Sequence, residues 1–67
     1  MNISAIKIET MLAERGMTRT DLAELCGISR QNISTVIRRG TCAPKTAGKL
    51  AAGFGVPISD ILPEVGT

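Results

Sequence analysis

Apolar side chains recur along this chain at intervals of three and four and nowhere alternate strictly with polar ones, so the pattern predicts helices and no half-buried strand. The first helix is expected from about Ser4 to Arg15, with Ile8, Met11 and Leu12 on one face and Gly16 placed to end it in a left-handed conformation. Thr18-Arg19-Thr20-Asp21 matches the Ser/Thr-x-x-acid capping signature and opens a second helix, whose stripe of Leu22, Leu25 and Cys26 stops at Gly27. Ser29 is the natural N-cap of a third, which continues through Ile33, Val36 and Ile37 to Gly40. Pro44 suits the first position of a fourth, where Ala47, Leu50, Ala51 and Phe54 follow at i, i+3, i+4 and i+7 before Gly55. A short fifth is expected from Ile58 to Leu62, closed by Pro63.

The expected class is therefore all-α: about five short helices forming one domain over residues 1–67, with no repeat, low-complexity run or linker. A domain this small buries only about 60% of the surface its unfolded chain exposes, so its core is thin. The second and third segments are the informative pair. Two short helices joined by a tight glycine-containing turn cross steeply and need a small residue where they touch; Ala23 supplies it, and Gly27 makes the turn.

On a helical wheel of about 100° per residue, Ile33, Val36 and Ile37 share one arc of the third helix, and Arg30, Gln31, Ser34, Thr35 and Arg38 share an arc of about 140° opposite. One face packs, and the other is offered to a partner. Any surface helix has a polar arc, but this one holds Arg, Gln, Ser and Thr, which pair with guanine, adenine or phosphate, and it has no carboxylate to repel nucleic acid. Asn32 falls at the margin of the arcs, where it could cap, touch a phosphate or fill the edge of the core.

Charge sharpens the picture. Net charge is only +2. Between Ser29 and Lys49, however, stand Arg30, Arg38, Arg39, Lys45 and Lys49 with no acid, while the rest of the chain sets Lys7, Arg15 and Arg19 against Glu9, Glu14, Asp21, Glu24, Asp60 and Glu64. A basic middle between acidic flanks suits a polyanion-binding surface, as it would a solvated basic face.

Composition argues against other chemistries. One Phe and no Trp, Tyr or His leave no histidine base or ligand and no aromatic platform for single strands. Asp21, Glu24, Asp60 and Glu64 show no spacing that suggests an acid/base pair, so no enzyme and no catalytic residue is expected. Cys26 and Cys42 lack a CxxC spacing and companion ligands; they are expected to be small buried or half-buried thiols, with no metal and no cofactor. No run approaches membrane-spanning length, and Met1-Asn2-Ile3-Ser4 does not begin a secretory leader, so a cytoplasmic, nucleoid-associated protein is expected.

The stretch from Thr18 to Val36, with Leu22, Ala23, Gly27, Ile28, Ile33 and Val36 at core and turn positions, resembles the phage repressor and Cro type of helix-turn-helix regulators, the XRE family. The resemblance extends to Met11-Leu12-Ala13-Glu14-Arg15-Gly16, to the segment from Pro44 to Ala51, and to Gly55-Val56, and so covers nearly the whole chain. It implies a lambda-repressor-like helical bundle that binds double-stranded DNA and regulates transcription, as a repressor or switch of a phage or mobile element.

Carried over from that family, the base-reading positions fall on Ser29, Arg30, Gln31 and Thr35, and phosphate contacts on Thr18, Arg19, Arg38, Arg39 and Lys45; Asn32 and Ser34 of the third helix are also expected to contact phosphate. The resemblance also implies a homodimer on a pseudo-palindromic operator, with no small-molecule ligand; Ile58, Ile61, Leu62 and Val65 are the expected contact surface. Two departures stand out: Arg19 takes the place where the family commonly has Gln, and the stretch from Ile33 to Gly40 is one residue longer than the common pattern. The rival reading is a protein-docking module on the same fold, for which the Arg30, Gln31 and Thr35 face would have no base to read.

Overall fold

The computed structural model describes residues 1–64 of the 67. Four α-helices follow one another: α1 Ala5–Arg15, α2 Arg19–Cys26, α3 Arg30–Arg39 and α4 Pro44–Phe54. Each begins and ends at the residues the sequence marks. Ser4, Thr18 and Ser29 accept side-chain caps from the backbone N–H groups of Lys7, Asp21 and Asn32, and Pro44 opens α4. At Gly27 the chain turns from α2 towards α3 with φ of 70°, a conformation that costs any other residue a Cβ clash.

The fifth expected helix is not α-helical. Ile58–Ile61 forms a single 3-10 turn, in which the Asp60 N–H donates to the Pro57 carbonyl at 3.0 Å. Pro57 and Pro63 bracket this segment, leaving too few residues for an i→i−4 ladder to develop. The turn also uses apolar side chains expected on a dimer surface: Ile61 is fully buried in the domain's own core and Leu62 is half-buried, while Ile58 stays exposed. Val65 lies outside the described residues.

Ile8 and Leu12 of α1, Leu22, Ala23 and Cys26 of α2, Ile33 and Val36 of α3, and Ala47, Leu50, Ala51 and Phe54 of α4 share one core with Ile3 and Ile61. Each fully buried Leu or Ile contributes about 1.5–3 kcal/mol, so the loss of any one matters in a domain this small. Leu25 departs from expectation and is 61% exposed. Ala23 is buried at 5% exposure, which centres the buried arc of α2 between Leu22 and Ala23 and leaves Leu25 about 110° away.

A long-range clip closes the bundle. The Ile3 N–H donates to the Gly40 carbonyl at 2.9 Å and the Cys42 N–H to the Met1 carbonyl at 3.0 Å, around an antiparallel bridge between Asn2 and Thr41. The Ser4 N–H donates to the Ile61 carbonyl at 2.7 Å, so the same segment also holds the 3-10 turn. The chain's start thereby fixes the connection between α3 and α4.

Cys26 and Cys42 are free thiols, buried and half-buried respectively. Burial pushes the Cys26 thiol above its ordinary value, with the Gly53 backbone partly opposing the shift, which makes it a poor nucleophile. Gly53 lets α4 approach α2 closely, since a Cβ there would collide with Cys26 Sγ. Gly53→Ala should therefore lower stability by about 1–2 kcal/mol despite its better helix propensity, and cost less in a Cys26→Ala background. Chemical denaturation measures both; a stabilised Gly53→Ala variant would refute the contact.

Candidate nucleic-acid interface

The outward face of α3 begins at the α2–α3 turn. Ser29 Oγ accepts from the Asn32 N–H at 3.0 Å, which satisfies one of the four N–H groups that the start of a helix leaves without an internal partner. Arg30, Gln31 and Asn32 are exposed beside that start, while Ile33 and Val36 are buried beneath it. Ser34 and Thr35, one turn on, are half-buried.

The Thr35 hydroxyl donates to the Gln31 carbonyl at 2.9 Å, so its proton is spent within the helix. What it keeps for a partner is its oxygen lone pairs and its methyl, chemistry suited to a base amino group or a thymine methyl. Arg30 and Gln31 make no side-chain hydrogen bond within the described residues, and both retain their full donor sets.

At the start of α2 the capping box is complete: Thr18 Oγ1 accepts from the Asp21 N–H at 3.1 Å, and the Thr18 N–H donates to Asp21 Oδ2 at 2.9 Å. The Thr18 N–H is thus spent, and its hydroxyl proton is what it keeps for a partner. The Arg19 and Thr20 N–H groups remain as the free donors at this helix start. The Arg19 side chain reaches sideways: Nη2 donates to Glu9 Oε1 of α1 at 2.7 Å and Nη1 to Ser34 Oγ of α3 at 3.5 Å. Sequence reasoning missed Glu9, because a partner ten residues away across a turn leaves no signal in local spacing.

The cations divide by use. Lys7 Nζ donates to the Leu62 carbonyl at 2.9 Å, and the Arg15 guanidinium donates to the Phe54 carbonyl while lying 5.2 Å from the centre of its ring. Both close the ends of helical segments within the fold. Among the described residues Arg19 makes the one ion pair, and Arg30, Arg38, Arg39, Lys45 and Lys49 have no acidic partner. These five occupy the acid-free middle of the chain, and all of them are exposed.

The longer stretch before Gly40 is accommodated within α3, which runs to Arg39 and ends on Gly40 with φ of 70°. Arg38 and Arg39 therefore sit on the last helical turn, Lys45 sits on the first turn of α4, and the Met1–Ile3 clip ties the connection between them. Elsewhere, a recess of about 370 Å³ lies between α1 and the 3-10 turn, lined by Lys7, Thr10, Met11, Glu14, Ser59 and Asp60; none of these belongs to α2, α3 or α4. No group of three potential metal-ligating side chains occurs among the described residues, and no helix there is long and apolar enough to cross a membrane.

Two short helices joined through Gly27, with a capped and acid-free second helix presented on the surface, define a helix-turn-helix DNA-binding domain. Residues 7–63 match the family model of the Cro/C1-type HTH DNA-binding domain, and the chain belongs to that family. No curated protein and no solved structure gives a match.

Cations that touch only phosphate act through counterion release, without regard to base sequence. Replacing Arg38, Arg39 and Lys45 together by Ala should weaken binding to all duplexes almost equally and flatten the slope of log K against log salt by about one unit for each phosphate no longer neutralised. Titrations at several salt concentrations supply the slope; one unchanged from the parent's would remove these residues from the interface.

Proposed function

We propose that this domain is a sequence-specific regulator of transcription, a repressor or switch of the kind carried by phages and mobile elements, and that it reads the duplex major groove with the N-terminal half of α3. One observation carries the reading: Arg30 and Gln31 stand exposed and unbonded at the capped start of a helix whose opposite face is locked into the core by Ile33 and Val36. An α-helix fills the major groove, where Arg pairs bidentately with guanine and Gln with adenine. Ser29 and Thr35 complete the base-reading set.

Thr18, Arg19, Asn32, Ser34, Arg38, Arg39 and Lys45 hold the backbone on either side. The free N–H groups at the starts of α2 and α4 add partial positive charge where phosphates would pass. The domain needs no cofactor and performs no catalysis; occupancy of the operator is its output.

A single copy reads few bases, so the working form is a homodimer on a pseudo-palindromic site with half-sites about one helical turn, roughly 34 Å, apart. Among the described residues, Ile58 is the member of the expected apolar surface that remains exposed for such a contact, at 37%. Sedimentation with saturating operator should give two protomers per site.

Selection of duplexes from a random pool, followed by titration of the enriched site, tests the assignment. Arg30→Ala and Gln31→Ala should each cost about 1–3 kcal/mol on the selected site, relax preference at one or two base pairs, and change little on random duplex. Equal losses on both would restrict these side chains to the backbone. Failure of any sequence to be enriched would favour a protein-docking role.

A further inference from the structure

Arg19 is singular among the cations around α3, because in the free domain its guanidinium already holds an anion. Its Nη2 lies 2.7 Å from Glu9 Oε1, with the two side chains 41% and 52% exposed. Its Nη1 lies against Ser34 Oγ of the reading helix at 3.5 Å. Glu9 has no other hydrogen-bond or ion-pair partner among the described residues, so Arg19 is the group its carboxylate serves.

We propose that Glu9 is an internal stand-in for a DNA phosphate, which occupies Arg19 in the free protein and lowers DNA affinity because Arg19 must release it to grip the backbone. The proposal rests on the DNA-binding reading above. A guanidinium fork accepts carboxylate and phosphate in the same geometry, so the two anions compete for the same donors. Once displaced, Glu9 carries an uncompensated negative charge beside a polyanion, while the other exposed cations of the face meet phosphate without first giving up a protein partner. An exposed ion pair contributes little to folding, so the contact is felt in binding and not in stability.

Fluorescence anisotropy with the selected duplex and with a random-sequence duplex, at one low salt concentration, tests this in four proteins: the parent, Glu9→Gln, Arg19→Gln and the double variant. Glu9→Gln should tighten binding to both duplexes by a similar factor of about two to five, the range that release of an exposed ion pair allows. In the Arg19→Gln background the same substitution should give a clearly smaller gain, and thermal unfolding of Glu9→Gln should match the parent. Unchanged or weaker binding by Glu9→Gln would overturn the proposal. So would an equal gain in both backgrounds, which would make Glu9 a diffuse repulsive charge with no special claim on Arg19. Absence of duplex binding by the folded parent would instead overturn the DNA-binding reading, and this inference with it.

Discussion

The crossing of α2 and α3 is the constraint on which the rest depends. Ala23 is buried in the core that α2 and α3 share, and Gly27 turns the chain in the left-handed conformation that lets α3 leave at once. Ile33 and Val36 then lock one face of α3 into the core, which aims Arg30 and Gln31 outward without further support. Strain at this crossing would move the exposed face of α3 itself. The close approach of α4 at Gly53 extends the constraint by backing α2 from behind.

Electrostatics divides the chain along the same line. The cations that serve the fold, Lys7 and Arg15, are spent on carbonyl oxygens at Leu62 and Phe54, where the ends of helical segments need donors. Those between Ser29 and Lys49 have no acid in their segment and no ion-pair partner among the described residues. Arg19 stands between these classes, next to α3 but held from α1 by Glu9. A small net charge thus conceals a strongly uneven distribution along the chain, which says more about partners than the total does.

Much of this is legible in the sequence because the signals are local. The Thr18–Asp21 capping box, the Ser29 cap, Pro44 at a helix start and the glycines after each helix mark boundaries within a few residues of themselves, and the structure uses all of them. The features that escape depend on partners distant in sequence. The Met1–Ile3 clip onto Gly40–Cys42 is too short to show a strand period, and the Glu9–Arg19 pair spans a turn. Leu25 defeats the pattern because helical spacing shows which residues share a face but not where the centre of the buried arc lies. Ile58–Ile61 has helical spacing, yet two prolines confine it to a single 3-10 turn whose Ile61 serves the core.

The central claim is that α3 reads base edges in the major groove, and atom-level substitution in the DNA tests it most directly. In the selected duplex, replacing the preferred guanine by 7-deazaguanine removes a major-groove acceptor, whereas replacing it by inosine removes only the minor-groove amino group. The account predicts that the first change weakens binding by about twofold to tenfold, as expected when one half of a bidentate arginine pairing is removed, that this effect disappears in Arg30→Ala, and that inosine is tolerated. Sensitivity to inosine with indifference to 7-deazaguanine would place recognition in the minor groove and contradict the account.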